Sequence, residues 1–140
     1  MIKTLLPLAA VVAAALALPA LAQEGGRPLS AHLTGGTGMD PDGAGHATFR
    51  VNNGQDQVCY DLMVEKIAPA GAAHIHKGAA GESGPPVVPL KPPGADGKIK
   101  DCATGPADVI KDILQNPGNY YVNVHNAEFR GGAIRGQLSK

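Results

Sequence analysis

In the stretch Tyr120-Tyr121-Val122-Asn123-Val124-His125 apolar and polar side chains alternate from Val122 on. That is the period of a β-strand, which sends neighbouring side chains to opposite faces. Val122 and Val124 share one face and are expected to meet the core, so Asn123 and His125 face out. Ala73-His74-Ile75-His76 reads the same way: Ile75 points inward and both histidines point outward together. In Ala133-Ile134-Arg135-Gly136-Gln137-Leu138, Ile134 and Leu138 take the inner phase and Arg135 the outer one. His46 is also on an outer phase, opposite Phe49 and Val51 of its own stretch.

Beyond these stretches, nineteen glycines and twelve prolines cluster between short apolar runs, a pattern of many turns and short strands rather than long helices. Strands are expected over 29–33, 46–51, 57–67, 72–76, 87–90, 120–125 and 133–138. This number of short strands predicts an all-β fold, a Greek-key sandwich or flattened barrel of about seven to eight strands. One short helix is expected over 107–114, where Val109, Ile110, Ile113 and Leu114 recur at helical spacing. Pro106 is placed for its first turn and Asn116-Pro117-Gly118 to stop it. The segments 78–86 and 91–97 are too rich in Gly and Pro for regular structure.

The first residues read as an address. Lys3, an apolar run from Leu5 to Leu18 and the ending Leu18-Pro19-Ala20-Leu21-Ala22 form the charged start, apolar middle and small-residue end of a secretory signal peptide. Residues 1–22 are therefore expected to be removed, leaving one domain over 23–140, secreted or periplasmic. An exported chain favours pairing Cys59 with Cys102 in a disulfide, and the two lack the C-x-x-C spacing of a metal site. Twelve basic and twelve acidic side chains balance, so neither nucleic acid nor a membrane surface is an expected partner.

An isolated outward histidine is ordinarily a solvated one, and His32 is read that way. His74 and His76 differ, because two imidazoles one residue apart on a strand hold their donors on one side, where a single cation can bridge them. His125 lies 49 positions beyond His76 (125 minus 76), and periodicity alone does not join the two strands. His46 is a candidate fourth ligand only if its strand lies next to theirs. Asp40-Pro41-Asp42-Gly43 is read as a polar turn rather than a calcium loop, since the other ligands of such a loop are missing.

Several motifs together resemble the CHRD domain family, named for its occurrence in chordin and found in many exported bacterial proteins. They are Pro41-Asp42-Gly43-Ala44-Gly45, Ala73-His74-Ile75-His76-Lys77-Gly78 with Gly84-Pro85, Val87-Val88-Pro89-Leu90, Tyr120-Tyr121-Val122-Asn123-Val124-His125 and Gly131-Gly132-Ala133-Ile134-Arg135-Gly136-Gln137-Leu138. Arg130 departs from the family's usual proline, and Gly36-Thr37-Gly38-Met39 replaces its usual Asn-Glu-Val-Pro type of segment. The order of His-x-His, a later Val-His and a final Gly-x-x-Arg is also similar to copper/zinc superoxide dismutase, in a copper-only form.

That likeness implies one copper ion held by His74, His76 and His125, with Arg135 guiding an anionic substrate, superoxide. A zinc ion is not expected, because no histidine lies between His76 and His125 to hold it. Lys77 would add to the attraction. The resemblance leaves room for a homodimer. Two other functions fit the same residues: a non-catalytic module that holds copper or docks a protein, and a three-histidine zinc hydrolase with Glu128 as its nearest candidate base.

Overall fold

The computed structural model describes residues 25–140; the expected signal peptide, 1–22, lies outside them. In chain order the elements are β1 Arg27–Thr34, β2 Ala44–Asn52, β3 Gln57–Glu65, β4 Ala70–Lys77, β5 Pro86–Leu90, β6 Lys98–Thr104, α1 Ala107–Gln115, a short 3-10 turn Pro117–Asn119, β7 Tyr120–Asn126 and β8 Ile134–Gln137. The strands form one antiparallel sheet of eight, ordered β5-β4-β7-β8-β1-β2-β3-β6. Its two edges, β5 and β6, come into contact, so the sheet curls into a nearly closed barrel.

The alternation that predicts the strands also builds the core. Leu29, Ala31 and Leu33 of β1, Ala47, Phe49 and Val51 of β2, and Val58, Tyr60 and Leu62 of β3 are buried, while the residues between them are not. Ile75, Val122, Val124, Ile134 and Leu138 are buried as their phase requires. Helix α1 adds Ile110 and Ile113, both fully buried, to the same core. The outer face of β4, β7 and β8 thereby receives His74, His76, His125 and Arg135.

Two elements differ from the sequence expectation. β6 is an additional strand, just after the segment expected to be a loop. Its only large apolar side chain is Ile99, half-buried, because the strand lies at an edge of the sheet and has little core to meet. β3 stops at Glu65 rather than continuing to Ile67, since Lys66 turns to a positive φ of 56°. Cys59 on β3 lies directly opposite Cys102 on β6, and the two are joined in a disulfide that ties the edge strand to the barrel. Among the described residues no helix is long and apolar enough to cross a membrane.

Candidate metal centre

β4 and β7 are neighbours in the sheet, with His74 opposite Asn123, His76 opposite Tyr121 and Ala72 opposite His125. This pairing brings the two distant histidine segments together on the outer face. On its other side, β4 pairs with β5 through a register shift between Ile75 and His76. Such irregularities re-aim the side chain beside them. One nitrogen from each of His74, His76 and His125 can be chosen so that all three lie within 4.8 Å of one another.

Hydrogen bonds decide which nitrogens are free. His76 Nδ1 lies 2.9 Å from the carbonyl oxygen of Gly84, and His125 Nδ1 lies 2.9 Å from that of Arg130. A carbonyl only accepts, so each Nδ1 carries the proton and each Nε2 keeps its lone pair. His74 Nδ1 sits 3.3 Å from His125 Nε2. His74 Nδ1 therefore donates to His125 Nε2 in the metal-free protein, and with its proton moved to Nε2 it could join Nε2 of His76 and of His125 as a donor set. Backbone carbonyls fixing the far nitrogen are the usual outer shell of metal-binding histidines.

These residues fit a metal ion. His76 Nε2 is buried and has no hydrogen-bond partner. An orphaned buried acceptor costs about 1–3 kcal/mol, which a bound cation would offset. Nitrogens about 2 Å from a common ion at tetrahedral or trigonal angles are about 3.4 Å apart, so a pair at the 4.8 Å limit of the cluster would close by about 1.5 Å on binding. Burial lowers the pKa of His74 below the usual 6.5, and the neighbouring His125 and His76 push the same way. His76 is lowered too, chiefly by burial, with the hydrogen bond to Gly84 opposing. Both effects favour the neutral imidazole, the form that ligates.

A lid of loop and side chains covers this face. The ring of Tyr121 stacks on His76, with centroids 4.9 Å apart and planes at 13°. The Arg135 guanidinium lies 3.5 Å from the Tyr121 centroid. The imidazole and the guanidinium cannot share one face of that ring without collision, so Tyr121 is held between them. Arg135 also donates to the carbonyl of Glu82 at 2.8 Å and to Gln137 Oε1 at 3.1 Å. Gly84 packs so close to the Lys77 carbonyl oxygen that a Cβ on it would lie 1.6 Å away, and its N–H donates to the Tyr121 hydroxyl at 3.1 Å. His76 is outside the barrel as expected, yet only 7% exposed, because this loop folds over it.

His46 does not join the cluster. Strands β8 and β1 lie between β7 and its own strand β2, so the condition for a fourth ligand fails. Glu128 is exposed and contributes no donor to the cluster. Tyr121 and Asn123 are site residues that the sequence reading passed over, although period two puts them on the face of His125. Asn123 is 5% exposed, donates to the Gly131 carbonyl at 3.3 Å and keeps a buried Oδ1 without a partner. Gly132, at φ +130°, packs against it so tightly that a Cβ would lie 2.3 Å from that oxygen.

A family model for the CHRD domain matches residues 29–138, all eight strands included at least in part. The chain belongs to the CHRD family. No curated protein and no solved structure shows significant similarity to this CHRD chain. The departure at Arg130 is accommodated, because that residue serves the site through its backbone carbonyl, which any side chain leaves in place.

Proposed function

We propose that this CHRD domain is an exported copper-binding protein whose mononuclear site, His74, His76 and His125, disproportionates superoxide. The observation that carries the reading is the clustering of one nitrogen from each of three imidazoles, two of the rings being fixed by backbone carbonyls. Imidazole donors suit copper, and a three-nitrogen set leaves a position open. The disulfide and the signal-like first residues support export.

A copper ion held by His74, His76 and His125 would supply the one-electron chemistry by which two superoxides and two protons give dioxygen and hydrogen peroxide. The chain's own residues hold and orient. Gly84 and Arg130 keep Nδ1 of His76 and His125 protonated, so their Nε2 lone pairs stay turned to the ion. His74 must place its proton on Nε2 to free Nδ1. Arg135 is half-exposed and lies behind the Tyr121 ring, so it draws an anion by its field across several ångströms rather than by contact. Lys77 contributes less, since Asp112 stands 3.7 Å from its ammonium group.

Two observations support the alternative of copper holding without turnover. His76 is nearly enclosed, and the Arg135 donors are engaged by Glu82 and Gln137. A zinc hydrolase has less support, because no carboxylate joins the cluster among the described residues to serve as base. The deciding experiment is superoxide decay followed by stopped flow with protein carrying one copper per chain. Turnover above that of the same amount of free copper supports the enzyme. Decay no faster than free copper leaves the holding role.

A further inference from the structure

Away from the three-histidine cluster, the outer face of the barrel carries a second group of nitrogen and sulfur donors. His32 on β1 lies directly opposite His46 on β2, and His46 lies directly opposite Met63 on β3. All three are exposed, and the alternate residues of their strands, such as Leu33, Ala47 and Leu62, are buried. The three side chains therefore stand in a row on one outer surface. His46 and Met63 also line the same shallow hollow of about 460 Å³.

Met63 is 41% exposed, the one large hydrophobic side chain so exposed among the described residues. Its exposed thioether contributes little to packing, but it is a soft, neutral donor on a chain with three rotatable bonds. Directly opposed residues have Cβ atoms about 5 Å apart, so His46 lies within reach of a neighbour on either side. Local charge narrows the choice of ion. Lys98 stands opposite Met63, and of the two carboxylates lining the hollow Asp61 is 3.8 Å from Lys100 and Asp96 accepts from the Lys98 backbone N–H at 3.1 Å. Two imidazoles and a thioether beside lysines are a poor site for a hard divalent cation, which needs oxygen ligands, and a good one for a soft monovalent cation.

We propose that His32, His46 and Met63 form a second, surface site for Cu(I). The proposal does not rest on the function proposed for the three-histidine cluster. The pairs Thr34 with Arg135 and Ser30 with Ser139 set His32 opposite Gln137, which in turn lies opposite Tyr121. The row thus continues to His76, three strand spacings from His32, or about 14 Å along the sheet. No single ion can serve both groups, and a titration counts them separately.

The test is an anaerobic Cu(I) titration against a chromogenic Cu(I) chelator, using the protein with His74, His76 and His125 all changed to Ala. One equivalent is expected to bind, and Met63→Leu or His46→Ala on that background is expected to weaken it by about tenfold or more. No binding, or binding indifferent to Met63→Leu, overturns the proposal. Should the triple variant fail to fold, the wild type is titrated with Ag(I) while the methionine methyl resonances are followed. A saturable shift of the Met63 methyl supports the site, and an unmoved Met63 methyl in excess Ag(I) overturns it.

Discussion

The imidazole of His76 lies face to face with the ring of Tyr121, 4.9 Å between centroids, so a residue outside the donor set fixes the plane of one donor. Tyr121 is 2% exposed and is clamped from its other side by Arg135. Changing Tyr121 to Ala removes a large buried ring and both stacks. The expected loss is about 3 kcal/mol of stability, read from urea unfolding of the metal-free protein. A loss well below 1 kcal/mol would mean that the lid is not packed as described.

The approach of Gly84 to the Lys77 carbonyl makes Gly84→Ala a local probe. A methyl group 1.6 Å from that oxygen forces the loop outward and takes the acceptor of His76 Nδ1 with it. Copper affinity is expected to fall by about 10- to 100-fold, the usual effect of losing an outer-shell partner, while the barrel core is untouched. Competition titration gives the affinity and circular dichroism checks the fold. Unchanged affinity would show that the Gly84 carbonyl does not hold the imidazole.

The Tyr120 hydroxyl donates to Asp112 Oδ2 at 2.5 Å, which joins α1 to the start of β7. That bond, with a second from Asn116, holds the Asp112 carboxyl below the usual 3.8. Its contribution to stability is therefore present above pH 3.8 and is lost as pH falls through the lowered value. Tyr120 is shifted upward from 10.0, by burial first and then by Asp112, so the fold disfavours its ionisation. Its contribution is complete below pH 10.0 and is lost as pH rises past that value. Asp112→Asn should lower the unfolding midpoint at pH 6 and converge on the wild type in strong acid. A constant difference across the acid range would remove Asp112 from the account.

The bridge between Cys59 and Cys102 closes a separation of 43 residues and joins β3 to the edge strand β6, neither of which carries a histidine of the cluster. Replacing both cysteines with Ser should cost about 4 kcal/mol by loop-closure entropy. Copper affinity, measured where the variant is still folded, should not change. A variant that keeps its stability but loses copper would contradict both halves of this expectation.

Much of the barrel is legible because period two survives in the burial of β1, β2 and β3, where every second residue from Leu29 to Leu33 or from Phe49 to Val51 meets the core, and in the sequence of β4 and β7. β6 escapes that reading because, in Lys98-Ile99-Lys100-Asp101-Cys102, only Ile99 has a large apolar side chain to turn inward. The outward phase of His74, His76 and His125 is equally local and equally readable. The enclosure of His76 is not, since it depends on residues 78–85 folding back and on Arg135 arriving from β8. His46 shows the same division: its face is set by its own strand, and its distance from the cluster by strand order. Strand periodicity does not encode the pairing of β4 with β7. The family motifs do.

The central claim is that His74, His76 and His125 ligate one copper ion. Electron paramagnetic resonance of wild type and of His125→Ala, each loaded with one Cu(II) per chain, tests it most directly. The wild type should show nitrogen hyperfine structure, and the variant clearly altered g and copper hyperfine values. Superimposable spectra would contradict it.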